Sequence, residues 1–553
     1  MGVPGFFAWL LKNYKNEVIV SKIDKEVDYL YLDTNCLAHP KSFEVIDSLT
    51  KKMDNEQIIE LMFKKIIEYI DFLYNYVKPR ELLYISIDGV APMAKINQQR
   101  KRRYKSLIDN MIKNDIKKKH KKKIFTDWNN SVITPGTEFM ELLHDEILKY
   151  TMSNDKIKII YSSYHTPGEG EHKILEHIRL NMNDKIYVIY GLDADLIFLA
   201  LASKKNNLYL LRETQHFGEL VKHNDGFHYV AMDELRICLN EKLTGNNEEI
   251  EIDLTDDFIF ICYFLGNDFL PHLPSVDIKT GGLDIIVKNY NKIRNKLNET
   301  MVDVKKKDKI NMKFLRLFLE SMSTCEDYYF RQVLPAAKDH WGNKIKHLDN
   351  MDDEYEKEVW KFENLLDIEL NDEIRLGQGG KSEYKYRYYN EYFNCSDYMS
   401  DIAGHAAYEY FVGIKWVTEY YFVGCPSWTW QYPYSHAPFM TDLGQYVCDV
   451  NEIILKIFEP ITPFMQLLMV IPPSYRDILP KSYQILMYDD ESPIIDYFPT
   501  KIFIDFINKE MNWKGVPILS IIDIDRIKRA TLKLKLTKKE QERNNTCDDI
   551  MNK

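Results

Sequence analysis

A chain of 553 residues that is 45% hydrophobic and 28% charged is long enough for two to four folded domains and too apolar to be disordered. It contains no run of about 18 apolar residues, which rules out a transmembrane helix, and its N-terminus lacks the basic-then-apolar order of a secretory signal. Its net charge of −11 argues, taken as an average, against a polyanionic partner.

In chain order, Tyr29–Leu32, Leu83–Ile87, Ile157–Tyr161 and Ile186–Tyr190 read as buried strands, rich in aromatic and β-branched residues. Gln57–Tyr76 and His172–Leu180 carry apolar residues at helical spacing. Strands alternating with helices predict a mostly parallel α/β sheet. Acids follow these strands. The first ends at Asp33, the second leads to Asp88, the third is followed by Glu169 and Glu171, and the fourth runs into Asp193 and Asp195. In an open parallel sheet the site lies beyond the carboxyl ends of the strands, so these acids are expected on one edge. A second apolar block, Phe258–Leu265, ends in Gly266-Asn267-Asp268 and adds a seventh. Each acid alone reads equally as a turn residue or helix cap; the recurrence favours a site.

Seven gathered carboxylates repel one another unless cations lie between them. Oxygen donors suit the hard ions Mg²⁺ or Mn²⁺, and two such ions can activate water against a phosphodiester. A structural Ca²⁺ site is the alternative. Glu169-Gly170-Glu171 and Asp193-Ala194-Asp195 each put two acids two residues apart, on one side of an extended chain.

The average charge conceals a basic stretch: between Lys95 and Lys123 stand 13 Lys or Arg against Asp109 and Asp115. Within it Lys95, Gln99, Arg102 and Arg103 are spaced i, i+4, i+7 and i+8, on one helical face able to hold a terminal phosphate. A solvated basic helix is the alternative there, and the plainer reading for Lys117–Lys123. Asn240–Asp257 is polar and acidic and reads as a loop. The expected organisation is a catalytic core over 1–290, a charged helical connection over 291–383 with a Gly377–Lys381 link, an aromatic-rich region over 384–527, and a charged tail over 528–553 that begins as a helix and fades into disorder. Eight singly spaced cysteines argue against a disulfide framework or zinc knuckle and fit a reducing compartment.

These motifs resemble the XRN family of 5′→3′ exoribonucleases. The likeness rests on Met1-Gly-Val-Pro4 with Phe6, Phe7 and Trp9, on Asp33 to His39, and on Asp88 through Arg103. It continues through Ile133–Met140, Pro167–Lys173, Tyr190–Leu196 and Gly266–Pro274, and resumes in Gly424–Trp430, Tyr432–Tyr434, Ala437-Pro438, Pro460–Gln466 and Ser492–Asp496. The resemblance implies an α/β nuclease core of the PIN/FEN-like kind, flanked by helices, with the aromatic-rich region packed against it as a wall. It implies that Asp33, Asp88, Glu169, Glu171, Asp193, Asp195 and Asp268 bind two metal ions, and that Lys95, Gln99, Arg102 and Arg103 hold a 5′-monophosphate. His39 and Trp430 would stack the leading bases, and Pro4 would line a mouth that admits single strands only.

The implied activity is Mg²⁺- or Mn²⁺-dependent, processive 5′→3′ degradation of single-stranded, decapped RNA to nucleoside monophosphates. The implied setting is a cytoplasmic monomer working after the decapping machinery, with the nucleus as the other compartment. Two departures stand out: Cys36-Leu37-Ala38 replaces the usual Gly-Ile-Ile, and Ser435-His436 replaces the usual His-Tyr order. The chain stops just past the second block, as expected of a minimal core from a large DNA virus or a protist. The alternative activity is a flap-type, structure-specific DNA nuclease, but Asp277–Gly282 lacks the expected Gly-x-Gly hairpin. A catalytically dead RNA-binding scaffold is disfavoured because all seven acids are present.

Overall fold

The computed structural model describes residues 3, 5–122, 128–181, 184–214, 226–244, 252–366, 368, 371–395 and 399–552. Pro4, Lys123 and residues 245–251 of the expected acidic loop lie outside them. The strands are β1 (Ile19–Val20), β2 (Tyr29–Asp33), β3 (Leu82–Ser86), β4 (Lys158–Ser162), β5 (Tyr187–Tyr190), β6 (Leu208–Glu213), β7 (Phe227–Ala231), β8 (Phe503–Asp505), β9 (Val516–Ile518) and β10 (Ile550–Met551). Among the described residues, all but β8 and β9 form one sheet in the order β1–β7–β6–β5–β2–β3–β4–β10. The five central strands, β6 to β4, run parallel, and the outer ones are antiparallel. The expected mostly parallel α/β core is therefore present.

Alternation along each central strand fills two cores. Leu30, Leu32, Leu83, Ile85, Ile159 and Val188 face α2 (Asn35–Asp47), α3 (Asn55–Val77) and α5 (Glu138–Ser153), while Tyr31, Tyr84, Ile160, Tyr187 and Ile189 face the opposite way. That second face is covered by α1 (Phe6–Val18), α6 (Gly170–Leu180), α7 (Asp195–Ala202), α8 (Met232–Thr244) and α9 (Thr255–Cys262). The register pairs Asp33 with Ser86 and Ser86 with Ser162, so the carboxyl ends of three neighbouring strands finish level. Because β3 and β4 extend from β2 on one side and β5 on the other, the sheet reverses direction at β2, the point where such folds build their sites.

The helix α4 (Met93–Lys119) leaves this edge and joins the core to the aromatic-rich region. Met93 N donates to Trp428 O at 2.9 Å, Ala91 N to Gln466 Oε1 at 2.8 Å, and the buried Arg100 guanidinium to Tyr497 O and Ser520 O at 2.6 Å each. At its far end the basic run is matched by an acidic helix, Glu354–Glu363. Lys113 pairs with Glu363 at 2.7 Å, Lys119 with Glu358 at 2.8 Å and Lys122 with Asp353 at 3.5 Å. Much of the stretch that looked free to meet a polyanion is thus answered within the chain.

Two sequence expectations change. The acidic loop is shorter than 240–257: Asn240–Thr244 continue α8, and Asp257 opens α9, buried, where it accepts from the backbone N–H of Met301 and Val302 at 2.7 Å each. The charged tail does not fade into disorder. It forms a helix, Lys538–Arg543, closed by a Thr537–Glu540 capping box, and then β10, which pairs with the free edge of β4. Unpaired backbone groups on an edge strand are a strong template, and they outweigh a polar sequence. Asn552 Oδ1 accepts from Ile159 N at 2.7 Å, Tyr84 OH donates to Asp549 at 2.9 Å, and Asn544 Oδ1 accepts from Phe464 N at 2.8 Å. No helix among the described residues is long and apolar enough to cross a membrane.

Truncation after Arg543 removes these three bonds and is expected to cost about 2–4 kcal/mol at roughly 1 kcal/mol each plus the exposed edge. Urea unfolding reads the loss; an unchanged midpoint would show that the tail does not brace the sheet.

Candidate active site

Most acids on the sheet edge are set by a strand end or a helix start. Asp33 closes β2, and Asp88 stands two residues past β3. Glu169 caps α6, Glu171 lies in its first turn, and Asp195 opens α7, where the helix dipoles favour negative charge. Asp268 follows a turn at Gly266, whose φ of +86° and contact with His272 admit no side chain. Gly170 is constrained differently: a Cβ there would stand 3.2 Å from Asp33 Oδ1 and 3.3 Å from Asp88 Oδ1, so its bareness lets the two carboxylates meet over α6.

The acids are held by neighbouring donors. Asp88 accepts from Gly170 N and Asn35 Nδ2 at 2.7 Å each, and Asp33 Oδ2 from the Cys36 thiol at 2.8 Å. Lys95, near the start of α4, sends its buried ammonium into the cluster, 2.5 Å from Glu169 and 2.8 Å from Asp268. Tyr420, on the helix Met399–Phe422, donates to the other oxygen of Glu169 at 2.8 Å. The titration directions follow this sharing. Burial pushes Asp33 up to about 7, helped by the charge of Asp88, and pushes Asp195 up to about 7, helped by Asp268. Burial drives Glu171 well above the usual carboxylate range. Glu169 is also raised, because Lys95 and Tyr420 only partly offset its burial, whereas in Asp268 Lys95 overcomes burial and holds the group low.

A divalent cation fits this donor set. The ligands are hard oxygens, and Asp33 Oδ1 and Asp195 Oδ1 are buried with no hydrogen-bond partner. Among the described residues no three His, Cys, Asp or Glu side chains are drawn together as closely as a bound ion would hold them. Part of the compensating charge comes from Lys95.

The four residues of the basic face separate along α4. Lys95 joins the acids, and Gln99 Oε1 meets Gln466 Nε2 at 3.5 Å. Arg103 donates to Thr134 Oγ1 at 2.6 Å, and the neighbouring Arg102 is exposed. Neither arginine has a carboxylate partner among the described residues, so burial and mutual repulsion oppose the charge of Arg103. His39, on α2, lies within electrostatic reach of both: burial, then Arg102 and Arg103, depress it to about 3, and the ring is neutral. Trp430 stacks on the buried Trp416 with centroids 5.4 Å apart. No ring contact joins His39 to Trp430 among the described residues. Pro4 lies outside the described residues.

Sequence reasoning missed Tyr420 and Arg212. Arg212, on β6, donates to Asp193 O at 2.7 Å and lies over the Phe7 ring, steadying the loop that carries Asp193 and Asp195. Both sit in apolar, regularly spaced elements, where nothing marks them apart from core residues.

Residues 1–214 match the model of the XRN 5'-3' exonuclease N-terminus, and residues 249–363 and 344–552 that of the Xrn1 helical domain. The chain belongs to the XRN family. It is 31% identical to 5'-3' exoribonuclease 1 of Homo sapiens, covering all of this chain and 35% of that protein. It is 29% identical to 5'-3' exoribonuclease 2 homolog of Drosophila melanogaster, with 73% of that protein covered, and 28% identical to 5'-3' exoribonuclease 1 of Saccharomyces cerevisiae, with 44% covered. The chain thus spans about a third of the human relative's length. These relatives do not favour the flap-type DNA nuclease alternative.

Replacing Lys95 by Met leaves Glu169 and Asp268 buried without their counter-charge, which is expected to cost about 3–5 kcal/mol in EDTA. Saturating Mg²⁺ should recover part of that loss. A denaturant midpoint equally lowered with and without Mg²⁺ would show that no cation enters the cluster.

Proposed function

We propose that this chain is a divalent-metal-dependent 5′→3′ exoribonuclease that degrades single-stranded RNA with a 5′-monophosphate, processively, to nucleoside monophosphates. The observation that carries this reading is the use of one helix for two tasks: α4 inserts Lys95 among the acids and, two turns on, presents Arg102 and Arg103 without carboxylate partners among the described residues. An RNA whose terminal phosphate rests on those arginines has its first phosphodiester directed toward the acids. When bound, Mg²⁺ or Mn²⁺ held by Asp33, Asp88, Glu169, Glu171, Asp193, Asp195 and Asp268 would lower the pKa of water and stabilise the leaving oxygen.

The protein's own groups orient the reaction. Arg103 and Arg102 supply forked donors to phosphate oxygens, and Gln99 adds a neutral donor beside them. Lys95 tethers Glu169 to Asp268 and keeps positive charge next to the scissile phosphate. Neutral His39 and Trp430, braced by Trp416, offer faces for the leading bases, a mode of binding indifferent to sequence. The proposed substrate is decapped RNA bearing a 5′-monophosphate, and the proposed setting is a cytoplasmic monomer.

The test compares three RNAs that differ only in a 5′-monophosphate, 5′-triphosphate or 5′-hydroxyl end, in Mg²⁺, with an Asp193→Ala, Asp195→Ala double variant as control. The monophosphate RNA should be consumed to mononucleotides, the others far more slowly, and the double variant should be inert. Trp430→Ala is expected to weaken RNA binding by about 1–3 kcal/mol. Indifference to the 5′ end would overturn the reading.

A further inference from the structure

A separate cavity of about 610 Å³ opens where the segment after Asp268 meets the helix Leu334–Gly342, the turn at Ser435–Ala437 and the residues between β8 and β9. Its lining includes none of the seven acids and none of the four residues of the basic face. Its volume suits a small organic ligand.

Its lining carries three lysines and three carboxylates, but they are not paired one to one. The acids on its wall are already engaged: Glu510 by Lys279 at 3.0 Å and Lys514 at 2.7 Å, Asp277 by Lys514 at 3.2 Å, and Asp505 by His436 Nε2 at 3.1 Å and Tyr392 OH at 3.0 Å. Two lysines form no ion pair within 4 Å among the described residues, with Asp505 within electrostatic reach of Lys509 and Glu510 within reach of Lys344. Lys509 Nζ stands 3.3 Å from His272 Nε2, and His272 Nδ1 stands 3.1 Å from Leu273 O. The carbonyl requires the proton on Nδ1, so Nε2 accepts from Lys509, and His272 is neutral and cannot offset that ammonium. Lys344 reaches only the thioether of Met511, at 3.7 Å. Lys101, on α4, lies within electrostatic reach of His436.

Flat surfaces and unused polar atoms adjoin this positive charge. Trp341 lies one helical turn before Lys344 on the same side. Tyr392 and His436 stack with centroids 3.6 Å apart. His436 is only 9% exposed, and its Nδ1 is buried with no partner. Asn508 Oδ1 is likewise buried and unmatched. Two lysines outside ion pairs, aromatic faces and spare hydrogen-bonding atoms in one cavity are what a phosphate joined to a heteroaromatic base requires.

We propose that this cavity is a second nucleotide site, taking a nucleoside 5′-monophosphate unit with its phosphate between Lys344 and Lys509 and its base against Trp341, within reach of His436. The unit has two possible sources, a free mononucleotide or a nucleotide within an RNA chain. The inference goes beyond the catalytic reading and is testable without turnover.

The full-length Asp193→Ala, Asp195→Ala variant in EDTA would be titrated calorimetrically with AMP, then with a 5′-hydroxyl oligoribonucleotide. AMP is expected to bind, and Lys509→Met and Lys344→Met should each weaken it about tenfold, the loss of one charge-assisted contact. Lys344 lies half-exposed on its helix, so its variant keeps the test valid if Lys509→Met fails to fold. Arg103→Ala should remove only AMP held in the 5′-phosphate pocket and leave the lysine-dependent binding in place. Displacement of AMP by the oligonucleotide assigns the site to a nucleotide within the chain, and failure to displace assigns it to the free mononucleotide. Absence of AMP binding at millimolar concentration would overturn the proposal. So would binding abolished by Arg103→Ala but indifferent to both lysines, because it places the nucleotide in the 5′-phosphate pocket.

Discussion

The structure depends on how it tolerates concentrated negative charge in a buried place. Parallel strands ending level bring Asp33, Asp88, Glu169, Glu171, Asp193 and Asp195 to one edge, where the turn after α9 adds Asp268, each within electrostatic reach of others in the group. In a low-dielectric setting such groups either take up protons or acquire cations. Both responses are visible. Burial pushes Asp33 and Asp195 up to about 7, while Lys95 lends its ammonium to Glu169 and Asp268. The partnerless oxygens of Asp33 and Asp195 mark where that compensation stops short. A fold that gained only stability from this region would have no reason to collect the acids. Their cost is reasonable in a site that works with bound cations.

The same helix that supplies Lys95 ties this edge to the rest of the molecule. The backbone and side-chain bonds from Ala91, Met93 and Arg100 to Gln466, Trp428, Tyr497 and Ser520 fix the aromatic-rich region against the start of α4. Trp430 therefore stands on a wall whose position is set by the helix carrying Arg102 and Arg103. Tyr420 closes the circuit, since it leaves the helix behind that wall and ends on Glu169. The separation of Lys95 from Arg102 and Arg103 is thus a property of one packed helix.

Much of this was legible in the sequence. Strand segments such as Tyr29–Leu32 and Ile186–Tyr190 are buried on both faces, and their unbroken apolar character announced them. The acids were legible because each follows a strand or a glycine-marked turn. What could not be read was partnership. Lys95 belongs by spacing to the basic face, yet its position on the first turns of α4 places it among the carboxylates. Nothing local showed that Lys113, Lys119 and Lys122 would meet an acidic helix more than two hundred residues later. The strand at Ile550–Met551 has two residues in a charged tail and exists only because β4 offers it an edge. Arg212 and Tyr420 act through atoms that only the tertiary fold brings near the acids.

The proposed function requires the carboxylate edge to be a cation site and not merely a strained core. Crystals grown with Mn²⁺ and measured for anomalous scattering test it most directly. The account requires Mn²⁺ peaks among the seven acids, bonded to the free oxygens of Asp33 and Asp195. Saturating Mn²⁺ that leaves the cluster empty, with Lys95 still bridging Glu169 and Asp268, would contradict it.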